Sequence, residues 1–217
     1  MANYRIDTAF RSFRHNECYF ITNGRCLVLD YFKKSIVNGP RHIENVFPIL
    51  RNTPFRRRID CTFNGDENEI FIFSRNLCAK IRYTAEGRLL NVPISITRMF
   101  PRLRGTSFEN GIDAAFKYRG NDVFLFKKDR CIRLNYITGI TVESEKPIRE
   151  SFPCLVGTIF ETGIDAAFAS HDTGEAYIFK GRYFVRINAV QRGSEAIGDF
   201  IVGRRIRFIA DVWTDMI

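Results

Sequence analysis

The sequence predicts an all-β protein, a four-bladed β-propeller whose blades each end in a short helical turn. Three observations carry this. The segment Thr106-Ser107-Phe108-Glu109-Asn110-Gly111-Ile112-Asp113-Ala114-Ala115-Phe116 returns almost unchanged as Thr158 to Phe168. Weaker copies stand at Ile6-Asp7-Thr8-Ala9-Phe10 and Ile59-Asp60-Cys61-Thr62-Phe63, so Ile-Asp pairs fall at 6, 59, 112 and 164. Finally, the four units of about 53 residues fill the 217-residue chain, as a radial repeat requires. The blade boundaries are placed at 4–53, 54–106, 107–158 and 159–217, within one domain. A solenoid is the alternative, but its end units usually carry polar caps, and here the first and last units keep the full motif.

Each unit opens with a short inner strand such as Ile112 to Phe116, whose small residues suit a crowded place. An alternating strand follows: 17–21, 69–73, 122–126 and 175–179. Its aromatic and β-branched residues read as strand. The turns carry Asn23-Gly24, Arg75-Asn76, Lys128-Asp129 and Gly181-Arg182, of which only the first is a strong hairpin signal. The third strand begins at Cys26, Cys78, Cys131 and Phe184. On it Lys80, Arg133 and Arg186 share one position, and their charged ends are expected to reach solvent. A short fourth strand is expected outside it.

Ile43/Phe47, Ile96/Phe100, Ile148/Phe152 and Ile209/Trp213 are each four apart, the spacing of one helical face. Pro48, Pro101 and Pro153 follow the aromatic directly and end the helix. Leu50, Leu103 and Leu155 complete a Phe-Pro-x-Leu signature, which the fourth unit replaces with Thr214 and a terminal Ile217. The fourth unit is also longer, and residues 191–207 read as a polar surface loop or irregular outer strand.

Phenylalanine numbers 21, the net charge is +9, and six cysteines are present. Cys26, Cys78 and Cys131 occupy one repeat position, which favours small buried side chains over disulfides. Without a Cys-x-x-Cys, zinc is not expected. No apolar run approaches the roughly 18 residues that span a bilayer. Met1-Ala2-Asn3-Tyr4-Arg5 has no apolar h-region, so no signal peptide is expected. The basic residues, densest at Arg56-Arg57-Arg58 and Arg204-Arg205-x-Arg207, are scattered through all units. They favour a solvated surface over a nucleic-acid interface. No nucleophile elbow, His-Glu-x-x-His or phosphate loop occurs, and no catalytic residue is assigned. Glu17, Glu69, Asp122 and Glu175 recur by repeat position and read as architecture.

The sum of Ile-Asp-Ala-Ala-Phe, Tyr177-x-Phe-Lys-Gly-x-x-x-x-Arg-Ile and Phe-Pro-x-Leu resembles the hemopexin repeat, and within it the legume seed albumins of the albumin-2 type. Secreted hemopexin domains join first and last blades by a disulfide. Nothing after Cys154 supplies the second cysteine, which fits albumins of the seed cytosol. The resemblance implies a central channel whose main-chain carbonyls bind axial calcium and sodium. The outer ring would be Asp7, Asp60, Asp113 and Asp165; the deeper ring would be Ala9, Thr62, Ala115 and Ala167. The aspartate side chains are also expected to brace neighbouring amides. The resemblance further implies a non-enzymatic role in storage or in binding spermine or haem, and self-association as a homodimer. A basic chain argues against a polycation, and His15, His42 and His171 lie in non-equivalent places, so haem has no assigned ligand. The alternative is a carbohydrate-binding lectin or haemagglutinin, for which Tyr31, Tyr83 and Tyr136 are surface candidates, or else packing between blades. A protein-docking module is weaker, because no second domain or linker accompanies it.

Overall fold

The computed structural model describes residues 5–213 apart from 67, 85, 173, 193, 194 and 202–204; Arg204, Thr214 and Ile217 thus lie outside the described residues. Four antiparallel sheets follow one another along the chain. The first holds β1 (Thr8–Arg11), β2 (Glu17–Thr22), β3 (Arg25–Asp30) and β4 (Ser35–His42). The second holds β5 (Cys61–Asn64), β6 (Glu69–Ser74), β7 (Leu77–Arg82) and a split outer strand, β8 (Arg88–Leu89) and β9 (Ile94–Ser95). The third holds β10 (Ala114–Lys117), β11 (Asp122–Lys127), β12 (Arg130–Asn135) and β13 (Thr141–Pro147). The fourth holds β14 (Ala166–Ala169), β15 (Glu175–Lys180), β16 (Tyr183–Arg192), β17 (Glu195–Ile201) and β18 (Arg207–Phe208). The inner strands β1, β5, β10 and β14 pack side by side, and β14 returns to β1, so the ring is closed. Among the described residues no helix is long and apolar enough to cross a membrane.

Each blade ends in one helical turn: α1 (Ile43–Val46), α2 (Ile96–Met99), α3 (Ile148–Ser151) and α4 (Ile209–Val212). The aromatic after each turn donates its N–H to the isoleucine that opens it, at 2.7–2.9 Å. Pro48, Pro101 and Pro153 then start a 3-10 turn ending at the buried leucine of the Phe-Pro-x-Leu signature. Proline suits a first helical position because its missing N–H is not needed there.

Of the two readings of 191–207, the outer strand is the one seen: β16 runs on to Arg192 and pairs with β17, extending the sheet outward. One expectation changes. Arg133 does not reach solvent. It is 3% exposed and sits 3.7 Å from Asp122 and 2.9 Å from Glu143. Glu143 comes from β13, an element whose facing residues the inner repeat could not reveal. Lys80 and Arg186 keep more exposure and pair with Glu69 (2.6 Å) and Glu175 (3.4 Å). The recurrent acids and the recurrent bases are therefore one device, an ion pair across each of blades two to four.

The core is four clusters, one at each seam between blades, because each small sheet must cover both its faces. The seam that closes the ring packs Phe20, Leu27 and Tyr31 of the first blade on Phe168, Phe179, Phe184 and Trp213 of the fourth. Trp213 is buried, with its ring 4.7 Å from Phe184 and 5.7 Å from Phe20. None of the six cysteines is in a disulfide. Burial pushes the thiols of Cys78 and Cys131 up to about 12 and about 11, so they remain protonated packing groups.

The same seam has a polar clasp. The Asn16 N–H donates to His171 Nδ1 (3.3 Å), Tyr31 hydroxyl lies 2.6 Å from that nitrogen, and Nε2 faces the Ser12 carbonyl (3.1 Å). Those partners place the single proton of a neutral imidazole on Nε2. Burial, and then the Arg11 charge, hold His171 below its ordinary 6.5; His15 acts in the same direction and Asp172 against it. The unfolded chain therefore takes up this proton before the folded one does. The contribution is complete above about pH 6.5 and declines as the pH falls below it.

Two predictions follow from this seam. Trp213→Ala should lower stability by about 3–5 kcal/mol in denaturant titration; a loss under about 1 kcal/mol would show that apolar packing does not close the ring. His171→Gln should flatten the fall in stability between about pH 6.5 and 5, measured as melting temperature against pH. An unchanged slope would assign that fall to other groups.

Candidate functional site

The inner strands begin at four aspartates, each bonded in the same way. Asp7 Oδ2 accepts the N–H of Asn23, Asp60 that of Arg75, Asp113 that of Lys128 and Asp165 that of Gly181, all at 2.7–2.8 Å. Each acceptor thus ties its inner strand to the hairpin turn of its own blade. Asn23, Arg75, Lys128 and Gly181 all have positive φ, the conformation a tight hairpin demands. The brace holds that turn even where arginine or lysine occupies a position better suited to glycine.

The four aspartates surround one cavity of about 510 Å³ at the channel mouth, together with Arg5, Arg57, Arg58, Arg75 and Lys127. Arg58 pairs with Asp60 (2.6 Å), Lys127 with Asp113 (2.7 Å) and Arg5 with Asp165 (3.2 Å). Burial raises Asp7 above the ordinary carboxylate value, partly offset by its bond to Asn23 and by Arg5. The basic rim was not legible in the sequence, because these residues come from linkers, a turn and a strand end that only ring closure brings together.

One layer deeper, Ala9, Thr62, Ala115 and Ala167 are buried. Thr62 breaks the pattern. Its hydroxyl donates to the Ala9 carbonyl (3.0 Å) and lies 2.9 Å from Thr8 Oγ1. At the far end of the inner strands, Asn64 clamps the backbone of Arg11 through both its amide atoms. Arg11 reaches the Ser170 carbonyl (2.9 Å), and Lys117 reaches the Gly65 carbonyl (3.1 Å) and Tyr136 hydroxyl (2.7 Å). The inner strands thus start at carboxylates and end, in the first and third blades, at cations.

Among the described residues no group of three or more His, Cys, Asp or Glu side chains could hold a metal ion. Each aspartate spends one oxygen on its hairpin amide, and Asp60, Asp113 and Asp165 give the other to a basic side chain. A cation in this channel therefore depends on main-chain oxygens, and neutral carbonyls are donors that hard ions such as calcium accept. The donor chemistry fits such an ion, and at Ala9 the ion would compete with the Thr62 hydroxyl that already donates to that carbonyl.

Tyr31, Tyr83 and Tyr136 are not surface sugar platforms. They are 4–7% exposed and pack between blades. Tyr31 lies against Phe168 and Tyr177, Tyr83 against Phe10 and Tyr19, and Tyr136 against Phe63 and Phe71. His171 is spent in the closing seam, while His15 and His42 are exposed.

Comparison with known proteins agrees with this architecture. The Hemopexin family model matches residues 164–201. Albumin-2 of Lathyrus sativus is 40% identical over 221 residues, covering 97% of this chain and 95% of the relative. The chain belongs to the albumin-2 family. Among solved structures, a plant albumin from Cicer arietinum showing hemagglutination superposes with a TM-score of 0.90 at 41% identity, over 97% of this chain and 96% of that one. A plant lectin with two metal binding sites, also from Cicer arietinum, gives a TM-score of 0.90 at 42% identity over 96% and 95%. This albumin-2 member is therefore a hemopexin-fold propeller of the seed albumin type.

Asp113→Ala should leave the Lys128 amide without its acceptor and lower stability by about 1–3 kcal/mol, read from the denaturant midpoint. A neutral result would mean that the brace is dispensable.

Proposed function

We propose that this protein is a non-catalytic seed albumin whose channel is loaded with axial hard cations, calcium and sodium, and which combines nitrogen storage with binding of a small ligand. The observation that carries the reading is the aspartate arrangement. Each side chain is spent on its own hairpin, which fixes the start of every inner strand and leaves main-chain oxygen as the donor for an ion. The metal sites of the Cicer arietinum lectin support it. Pairing of Glu69, Asp122 and Glu175 with Lys80, Arg133 and Arg186 supports a structural role for the repeated acids rather than catalysis. Six cysteines without a disulfide, five of them buried, suit a reducing compartment, and the seed cytosol is the proposed location.

For the organic ligand, the chemistry of the mouth and of His171 favours carbohydrate over spermine or haem. Five basic side chains stand round the mouth, where a polyamine would otherwise meet carboxylates. His171 has both nitrogens occupied, which withdraws the one histidine set among aromatic rings from haem ligation. The hemagglutination shown by one neighbour and the lectin description of another support a sugar ligand. Agglutination needs more than one site per particle, so this reading includes self-association, most simply as a homodimer.

The test is melting temperature and metal content before and after chelation, with calcium then restored. Calcium should raise the melting temperature, since a ligand of the native state stabilises it. A chain that carries no metal and does not respond to calcium would overturn the reading. Thr62→Ala should lower the stability of the metal-free protein by about 1 kcal/mol. It should also enlarge the shift given by calcium, because the Ala9 carbonyl is released. A calcium shift that shrinks instead would show that the Thr62 hydroxyl is a required donor.

A further inference from the structure

The repeat is broken at one position, and a cleft stands there. On the third strand of each blade, the residue directly opposite the second-strand aromatic is Val28 (opposite Tyr19), Lys80 (opposite Phe71), Arg133 (opposite Phe124) and Arg186 (opposite Tyr177). Side chains directly opposite on one sheet face are neighbours. In blades two to four the long cation at this position runs to its acid. Lys80 Nζ lies 5.5 Å from the centre of the Phe71 ring and 2.6 Å from Glu69. Arg133 pairs with Asp122 and Arg186 with Glu175. In the first blade the valine is too short to cover the ring, and among the described residues Glu17 pairs with Arg14 at 4.0 Å.

The uncovered face borders a cleft of about 430 Å³ between the first and second blades. Tyr19 is the half-buried ring that faces it, while Phe47 and Tyr83 are buried behind as its support, with Tyr19 stacked on Phe10 at 4.6 Å and edge-on to Tyr83 at 5.6 Å. Asn38, Arg41 and Asn45 are exposed along its rim. Asn38 is held there by a bulged pairing of β4 on β3, in which it stands opposite Val28. The next residue, Gly39, has φ +97° and passes so close to β3 that a Cβ would lie 2.8 Å from the Cys26 carbonyl oxygen. Glycine is needed for that close passage, and the passage sets Asn38 at the rim.

We infer that this cleft is a saccharide site, taking one neutral hexopyranose unit or a disaccharide. The inference rests on the carbohydrate reading above and gives it a location. A pyranose has an apolar C–H face and an edge of hydroxyls that both donate and accept. The accessible part of the Tyr19 ring suits the first, and two carboxamides and a guanidinium suit the second. The volume falls within the usual range of small-ligand pockets.

The test restores the repeat. Val28→Lys places in the first blade the residue that the second blade already carries, with Glu17 as its acid, so the fold has a precedent for it. Binding of galactose, glucose, mannose, N-acetylglucosamine and lactose is measured by calorimetry and saturation-transfer NMR on the full chain, with erythrocyte agglutination in parallel. At least one sugar should bind the unmodified protein at one site per chain. Val28→Lys should weaken it about tenfold or more, a loss of at least about 1.4 kcal/mol. The exposed variant Asn45→Ala should also weaken it, and both variants should keep the melting temperature and the calcium response. Sugar binding or sugar-inhibited agglutination that survives Val28→Lys and Asn45→Ala would keep the lectin reading and overturn this site. Failure of every sugar to bind, without agglutination by the unmodified protein, would overturn both.

Discussion

Everything in this molecule depends on covering both faces of four small sheets. None of them is large enough to be stable alone, so the apolar side chains of each blade are completed only by those of its neighbours. The core is accordingly divided into four seams rather than gathered at one centre. This explains the unusual weight of phenylalanine and the place of the buried cysteines, which fill seams instead of crosslinking them. It also explains why the last seam matters most. There the chain must close on itself without a covalent link, and Trp213 with the Tyr31–His171 clasp supplies the joint.

Closing the ring brings the inner strands together and thereby makes the channel. Small residues let the strands approach, and the aspartates that open them are directed sideways to brace the hairpins. Structure and site thus use different atoms of the same residues: the side chain holds the blade, and the main chain remains for an ion. The cations Arg11 and Lys117 at the other end of the inner strands make the two ends chemically distinct: a mouth where carboxylates are paired with basic side chains, and a far end where cations reach main-chain carbonyls.

Much of this was legible in the sequence. The Ile-Asp spacing gave the number of blades, and the Phe-Pro-x-Leu signature gave the turn that ends the first three. The role of the aspartates as braces could be anticipated because their partners lie within the same repeat, 15 or 16 residues on. What escaped was what depends on contacts between repeats. Whether Tyr31, Tyr83 and Tyr136 face solvent or a neighbouring blade is decided by the ring, not by their own strand. Arg133 is buried because Glu143 reaches it from the outermost strand of its blade. The basic rim of the mouth gathers Arg5, Arg57, Arg58, Arg75 and Lys127 from different blades. The substitution of Val28 for a cation was visible in the repeat, but its consequence was not, since a missing side chain becomes a cleft only once the next blade stands beside it.

The most direct test of the central claim, that the channel holds a cation on main-chain oxygen, is native mass spectrometry of the protein purified without chelator. The account predicts that each chain retains at least one calcium or sodium ion in excess of surface adducts. It also predicts that the ion survives replacement of any single aspartate side chain by asparagine. A chain of metal-free mass would contradict the claim, and so would loss of the ion in every such variant, which would make the carboxylates themselves the ligands.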